Sequence, residues 1–419
     1  MTPFPLSRRA ALKGALGLGI SIDFLASRTF AASEGAAVEK RLIVIICRGG
    51  LDGLSLSPPV GDPSYAGLRG AIALPDFGQA GGALKLDDTF GLHPAMTATH
   101  TLALKGEARI APAVATPDRE RSHFEAQDVL ESGAAVVYST SSGWLNRALK
   151  TMGPAGSVKA IAMGPTTPLI LRGPVEATSW SPGGGAQIDL RLPGILADLY
   201  ANDPLLGPAL ATGMATQSMA RIARQDAAQT TMAETPPAAA DGAQANPQRA
   251  GAALARKLGA TLAGFMTQQG GQQVAALSID GFDSHVNQLT MTNLRLAYVD
   301  AFIDGLASGM GDAWRNTIVV VATEFGRTAN ANGTGGTDHG TASTALVLGG
   351  ALKKGGIIGD WPTLAPGKLF ENRDTAPTLD MRALFKGVLR DHMGVERAAL
   401  DTVVFPGSAG VAPAGGIIG

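Results

Sequence analysis

The chain carries one cysteine, Cys47, in 419 residues. An internal disulfide is therefore excluded, and so is a zinc site built on thiolates. Charged residues are only 16% of the chain and sum to a formal −1. The basic excess of a general nucleic-acid binder is missing. No repeat of solenoid period recurs. Histidine is scarce at six residues, so its placement carries weight. Glycine (55) and proline (25) are abundant, which implies tight turns and long loops. With 45% hydrophobic residues the chain reads as globular, with length for one large domain or two ordinary ones.

The N-terminus places Arg8-Arg9 before a weakly apolar run from Ala15 to Ala26, with small residues ending at Ala31. That pattern predicts a twin-arginine export signal over residues 1–32. The alternative, an uncleaved anchor, is disfavoured because the run falls short of the ~20 apolar residues that span a bilayer. The expected location is periplasmic or secreted, with no stable membrane anchor after cleavage.

"LIVIIC", 42–47, is a continuous apolar run closed by Gly49-Gly50, the pattern of a central strand covered on both faces. Similar runs occur at 108–116, 273–280, 317–323 and 345–350. Helical spacing of Leu289, Leu294, Leu296, Val299, Phe302, Ile303 and Leu306 lies between two of them. The expected fold class is α/β: a doubly wound, mostly parallel sheet flanked by helices. Residues 40–400 should form a single domain. The Ala-, Gln- and Pro-rich segment 215–260 is expected as an excursion of helix, linker and helix. The loop 179–187, "SWSPGGGAQ", is a candidate lid.

Ligands of open parallel sheets bind beyond the carboxyl ends of the strands. The segments after four of the runs hold Asp52; then Arg119, Arg121, Ser122 and His123; then Asp283, His285 and Gln288; then Glu324, Arg327, Asn332, Asp338 and His339. Three of the six histidines fall there, beside aspartates and small residues. Aspartate and histidine suit zinc, manganese or iron, and aspartate with water suits magnesium or calcium. Ser122 is a candidate nucleophile, and Arg121 and Arg327 could fork onto a tetrahedral anion. Structural readings stand beside these. Asp52 in "LDGL" is also turn or N-cap chemistry, Asp283-Ser284-His285 could cap the following helix, and Glu324 with Arg327 could be a structural pair. His93 reads as a packed structural histidine, His392 as a helix-surface residue and Cys47 as inert core.

The motifs "RGGLDGL", "GLHPAM", "RSHFEAQDVLESG", "GFDSH", "TEFGRT", "NGTGGTDHG" and "GDWPTL" run in order through most of 40–395. They resemble a bacterial family of twin-arginine-exported proteins, domain-of-unknown-function family 1501. That family is distantly similar to the alkaline phosphatase and sulfatase superfamily, which has a doubly wound α/β core. The resemblance implies a divalent metal held by Asp52, Asp283, His285, Asp338 and His339, with His123 and Glu324 as additional candidates. It implies Ser122 as nucleophile with Arg121 and Arg327 at the anion. The Asp283/His285 pair is spaced more tightly than in the superfamily's two-metal enzymes, and the formylglycine pattern of sulfatases is absent. The implied activity is hydrolysis of phosphate or sulfate esters, small or polymeric. The alternative is a non-catalytic envelope binding or assembly protein that keeps a degenerate metal site.

Overall fold

In the computed structural model the described residues are 39–152, 158–164, 166–182, 247–352 and 354–418. The expected leader 1–32, positions 215–246 of the expected excursion and positions 183–187 of the candidate lid lie outside them. Strand β1 (Arg41–Arg48) pairs in parallel with β5 (Val274–Asp280) on one side and β6 (Thr317–Ala322) on the other. Its side chains alternate between two helical layers, which is why the run is apolar throughout. Leu42, Val44 and Ile46 pack with α5 (Trp144–Leu149) and α8 (Met381–Asp391). Ile43, Ile45 and Cys47 pack with α6 (Pro247–Thr267) and α7 (Gln288–Met310). The doubly wound expectation is met.

The remaining strands are β2 (Ala108–Ala115), β3 (Ala160–Met163), β4 (Ala177–Trp180), β7 (Ser343–Leu348), β8 (Gly356–Ile357) and β9 (Leu379–Asp380). The nine-stranded sheet has the order β8-β2-β7-β6-β1-β5-β3-β4, with β9 also on β2. Strand β7 runs antiparallel to β6 and β2, and the other pairs are parallel. One reversed strand has a consequence for the site. The loop that enters β7 lies at the same rim as the loops that leave β1, β2, β5 and β6.

Four sequence readings need adjustment. His392 is not on a helix surface: it is 3% exposed, and its Nε2 bonds the Arg41 carbonyl at 2.9 Å. The helix ends there, so the ring turns under the sheet rather than outward. In α7, Leu289 and Leu294 are exposed, the first turns bury the polar Gln288 and Thr292, and the apolar part of the buried stripe starts at Leu296. Residues 247–260, read as part of an excursion, belong to α6, whose Ala255, Leu262 and Phe265 are buried in the core. Strands β3 and β4 were not expected at all. His93 is packed as expected, its Nδ1 accepting from the Ala95 N–H at 3.1 Å. Cys47 is buried, and burial followed by the nearby Glu324 charge raises its thiol pKa, as suits inert core. Among the described residues no helix is long and apolar enough to cross a membrane.

Candidate metal centre

Beyond the carboxyl ends of β1, β2, β5 and β6, three imidazoles and one carboxylate meet. His285 Nε2, His339 Nε2 and Asp283 Oδ1 form a triangle: 3.2 Å between the two nitrogens, 3.1 Å from His285 to Asp283 and 3.2 Å from His339 to Asp283. On the other oxygen of the same carboxylate, His123 Nε2 stands 3.5 Å from Asp283 Oδ2. Ligand atoms of His123, Asp283 and His339 all lie within 4.8 Å of one another. Ligands held ~2.0–2.1 Å from a tetrahedral zinc are separated by about 3.3–3.4 Å. The triangle has nearly those edges.

Each ring is oriented from behind. His123 Nδ1 donates to Glu324 Oε1 at 2.9 Å, His339 Nδ1 to the Arg121 carbonyl at 3.0 Å, and His285 Nδ1 to Asp338 Oδ1 at 3.2 Å. All three partners are pure acceptors, so each Nδ1 carries the hydrogen. A neutral ring then presents an Nε2 lone pair inward. Fixing of the tautomer by an outer acceptor is how metal-binding histidines are held. His123 Nε2 is also buried without a hydrogen-bond partner, a costly state for a ring nitrogen. Lone pairs and a carboxylate converging this closely form a group that could hold a metal ion.

The electrostatics are divided among these groups. The bond to Glu324 raises the His123 pKa, with burial opposing it. Burial, then the charge of Arg327, holds His339 below the usual range. Burial acts to raise Asp283 and Glu324, but it is outweighed in both. Arg327, His339 and His285 lower Asp283, and hydrogen bonds led by that of His123 lower Glu324, so both stay charged. The centre opens to solvent: the Asp283 and His285 side chains are nearly half exposed.

The loop "NGTGGTDHG" explains its own glycines. Asn332 Oδ1 accepts from the backbone N–H of Thr334 and Gly336 at 3.0 Å each, and Asn332 Nδ2 donates to the His285 carbonyl at 2.9 Å. Gly336 lies flat on His285: a Cβ there would stand 2.2 Å from its carbonyl carbon. Glycine is required because the chain presses against the backbone of a residue in the cluster. Beneath the rings, Phe325 packs at 4.8 Å from His123 and 4.9 Å from His339, between centroids.

Other expected site residues are placed differently. Asp52 is the N-cap of α1 (Gly53–Leu56), with Oδ1 accepting from the Leu54 N–H at 3.2 Å. Its Oδ2 accepts from Ser55, Gln288 and Arg69, the last in the helix α2 (Tyr65–Arg69). The carboxylate is 2% exposed and its acceptor sites are taken by protein donors, so the structure places it in a buried ion pair apart from the histidines. Arg327 is buried too. Its guanidinium donates to the carbonyls of Gly49, Gly50, Phe282 and Thr337 and to Asp283, and its side chain is fully buried, out of reach of an anion from solvent. Arg121 is turned to Asp374 and Glu371, and its backbone, at φ 59, presents the carbonyl that holds His339. Asp338 orients His285 instead of joining the triangle, and Glu324 orients His123. Ser122 sits half-buried just before α4 (His123–Ser132) and makes no capping bond. The signal that could have singled out His123 is its position as the first helical residue after a strand-end loop.

Solved structures with similar chain paths were found at low identity. The C-terminal periplasmic domain of EcEptC from Escherichia coli, in complex with zinc, is 8% identical over 76% of this chain and 75% of that one, with TM-score 0.35. A protein in the alkaline phosphatase superfamily from Vibrio parahaemolyticus is 11% identical over 82% and 69%, with TM-score 0.34. The alkaline phosphatase from the Antarctic bacterium TAB5 is 11% identical over 77% and 95%, also with TM-score 0.34. No curated protein matches. The model of a protein family of unknown function, DUF1501, matches residues 39–404, and the chain belongs to that family.

Proposed function

We propose that the protein is an exported hydrolase of phosphate or sulfate esters that binds one divalent metal through His123, Asp283, His285 and His339. The observation that carries the metal is the shared orientation of the rings: Nδ1 of each tied outward to an acceptor, Nε2 of each directed at Asp283. Of zinc, manganese, magnesium and calcium, three imidazoles favour zinc or manganese, since the last two prefer all-oxygen shells. Such an ion, when bound, supplies Lewis-acid polarisation and lowers the pKa of water.

The chain supplies the rest. Glu324, Asp338 and the Arg121 carbonyl hold the rings in their ligating tautomers. Phe325 keeps water from beneath His123 and His339. Ser122, adjacent to His123 and without a capping role, is the nucleophile of this reading. The anionic group of the substrate enters from the solvent side, where Asp283 and His285 are exposed. Arg327 offsets the Asp283 charge instead of binding substrate. The sequence expectation of twin-arginine export places the protein in the periplasm or outside the cell.

One observation favours the second reading, a non-catalytic envelope binding or assembly protein that keeps the metal. Both arginines expected at the anion are committed to protein acceptors. The test is a panel of nitrophenyl phosphate, bis-nitrophenyl phosphate and nitrophenyl sulfate, assayed with zinc or manganese. The hydrolase reading expects turnover that is lost in His339→Ala. Metal binding without turnover of any ester would select the second.

A further inference from the structure

A cleft of about 560 Å³ lies along α4, on the flank of that helix leading away from His123. Its volume is in the range of small-ligand sites, ~300–1,000 Å³. Phe124, Gln127, Asp128 and Glu131 of α4 line one wall at helical spacing, and Arg48, Ser278 and Asp280 at the ends of β1 and β5 line another. The cleft is joined to the metal centre by contacts. Arg48 donates to Gln127 and Glu131, and Gln127 Nε2 donates to Glu324 Oε1 at 3.1 Å, the same oxygen that holds His123.

The lining decides the ligand by elimination. Arg48 and Glu131 neutralise each other as an ion pair, and the remaining charges of the lining, Asp128, Asp280 and Arg172, are mixed in sign and offer no uniform field to an ion. The wall is mixed, since Met163, Pro168 and Leu169 line it beside the polar groups, and a purely apolar ligand would leave those polar groups without hydrogen bonds. What suits it is a neutral molecule with many hydroxyls and some apolar C–H surface. Two aromatic rings stand ready for the C–H surface: Phe124 is 81% exposed and Tyr138 67% exposed. Rings so exposed on a folded chain lose solvent contact favourably on binding. Tyr138 is held in place, its N–H donating to Asp128 Oδ2 at 2.7 Å with φ at 55.

We infer that this cleft binds a saccharide, the non-reacting portion of the substrate whose ester group reaches the metal centre. The link to the ester rests on the function proposed above; the sugar binding does not. Saturation-transfer NMR on the full-length protein with cellobiose, maltose, lactose, diacetylchitobiose and xylobiose tests it. The expected result is transfer to at least one disaccharide. Its affinity should weaken roughly five- to tenfold in Phe124→Ala or Tyr138→Ala, exposed positions where truncation leaves the fold intact. It should persist in His339→Ala, which separates the cleft from the metal. No transfer to any of the sugars, equal binding in both aromatic variants, or loss in His339→Ala overturns the inference. Sugar binding in a protein that takes up no metal would defeat the hydrolase reading alone.

Discussion

Glu324 stands behind the proposed metal ligands. It is fully buried, yet four donors, Gly49 N–H, His123 Nδ1, Gln127 Nε2 and Thr323 Oγ1, keep it charged against the cost of burial. It accepts the His123 Nδ1–H, which in the proposed site leaves Nε2 free for a cation. Replacing it with glutamine keeps the volume and removes the charge. Glu324→Gln is expected to weaken zinc binding about 10–100-fold, the usual loss when such an outer partner is changed. Competition against a chromophoric chelator measures this, and an unchanged affinity would remove His123 from the ligand set. Asp338→Asn should weaken binding less, because Asp338 is 63% exposed and water can replace its bond to His285.

At the scale of elements, the site is a meeting of loops, and Arg327 joins them. Carried on the β6 exit, it donates to carbonyls from the β1 and β5 exits and from the loop before β7. Removing it leaves buried acceptors unpaired and Asp283 without its cation. Arg327→Met should destabilise the fold by about 3–5 kcal/mol in chemical denaturation. Lysine at 327 would recover only part, since an ammonium lacks the planar fork. The glycine loop gives a paired test. Gly336→Ala should cost about 1–3 kcal/mol and lower metal affinity, because a Cβ would drive into His285. Gly333→Ala meets nothing within 4 Å and should leave both unchanged. Elements were legible in the sequence where burial was symmetrical. The runs that became β1, β5 and β6 are apolar because helices cover both faces. Direction was not legible: the run at 345–350 looks like its neighbours, but β7 is reversed, and apolarity carries no sense of polarity along the chain. Strands β3 and β4 are only four residues each, too short for periodicity to stand out.

At the scale of the whole molecule, residues spread from 123 to 339 converge because five strand ends share one rim. That placement was legible from the apolar runs and the polar turns after them. The division of labour within the rim was not. An aspartate that caps a helix, one that orients a ring and one proposed as a ligand all sit in similar turns, which is why Asp52, Asp338 and Asp283 read alike. Two buried histidines outside the cluster set a property of the entire fold. Burial lowers both His93 and His392 to about 4. In the unfolded chain they titrate near 6.5. The unfolded state therefore binds more protons between those values, and stability, full above pH ~6.5, falls as pH drops toward 4. Each contributes roughly 3 kcal/mol at most. Denaturation midpoints across that range should slope less in His392→Asn than in the wild type. The central claim is tested most directly by metal content. Full-length protein exported natively and dialysed free of loose ions should carry one equivalent of zinc or manganese by plasma mass spectrometry, and Asp283→Ala and His339→Ala should carry none. No bound metal in the wild type, or an undiminished equivalent in both variants, would contradict the account.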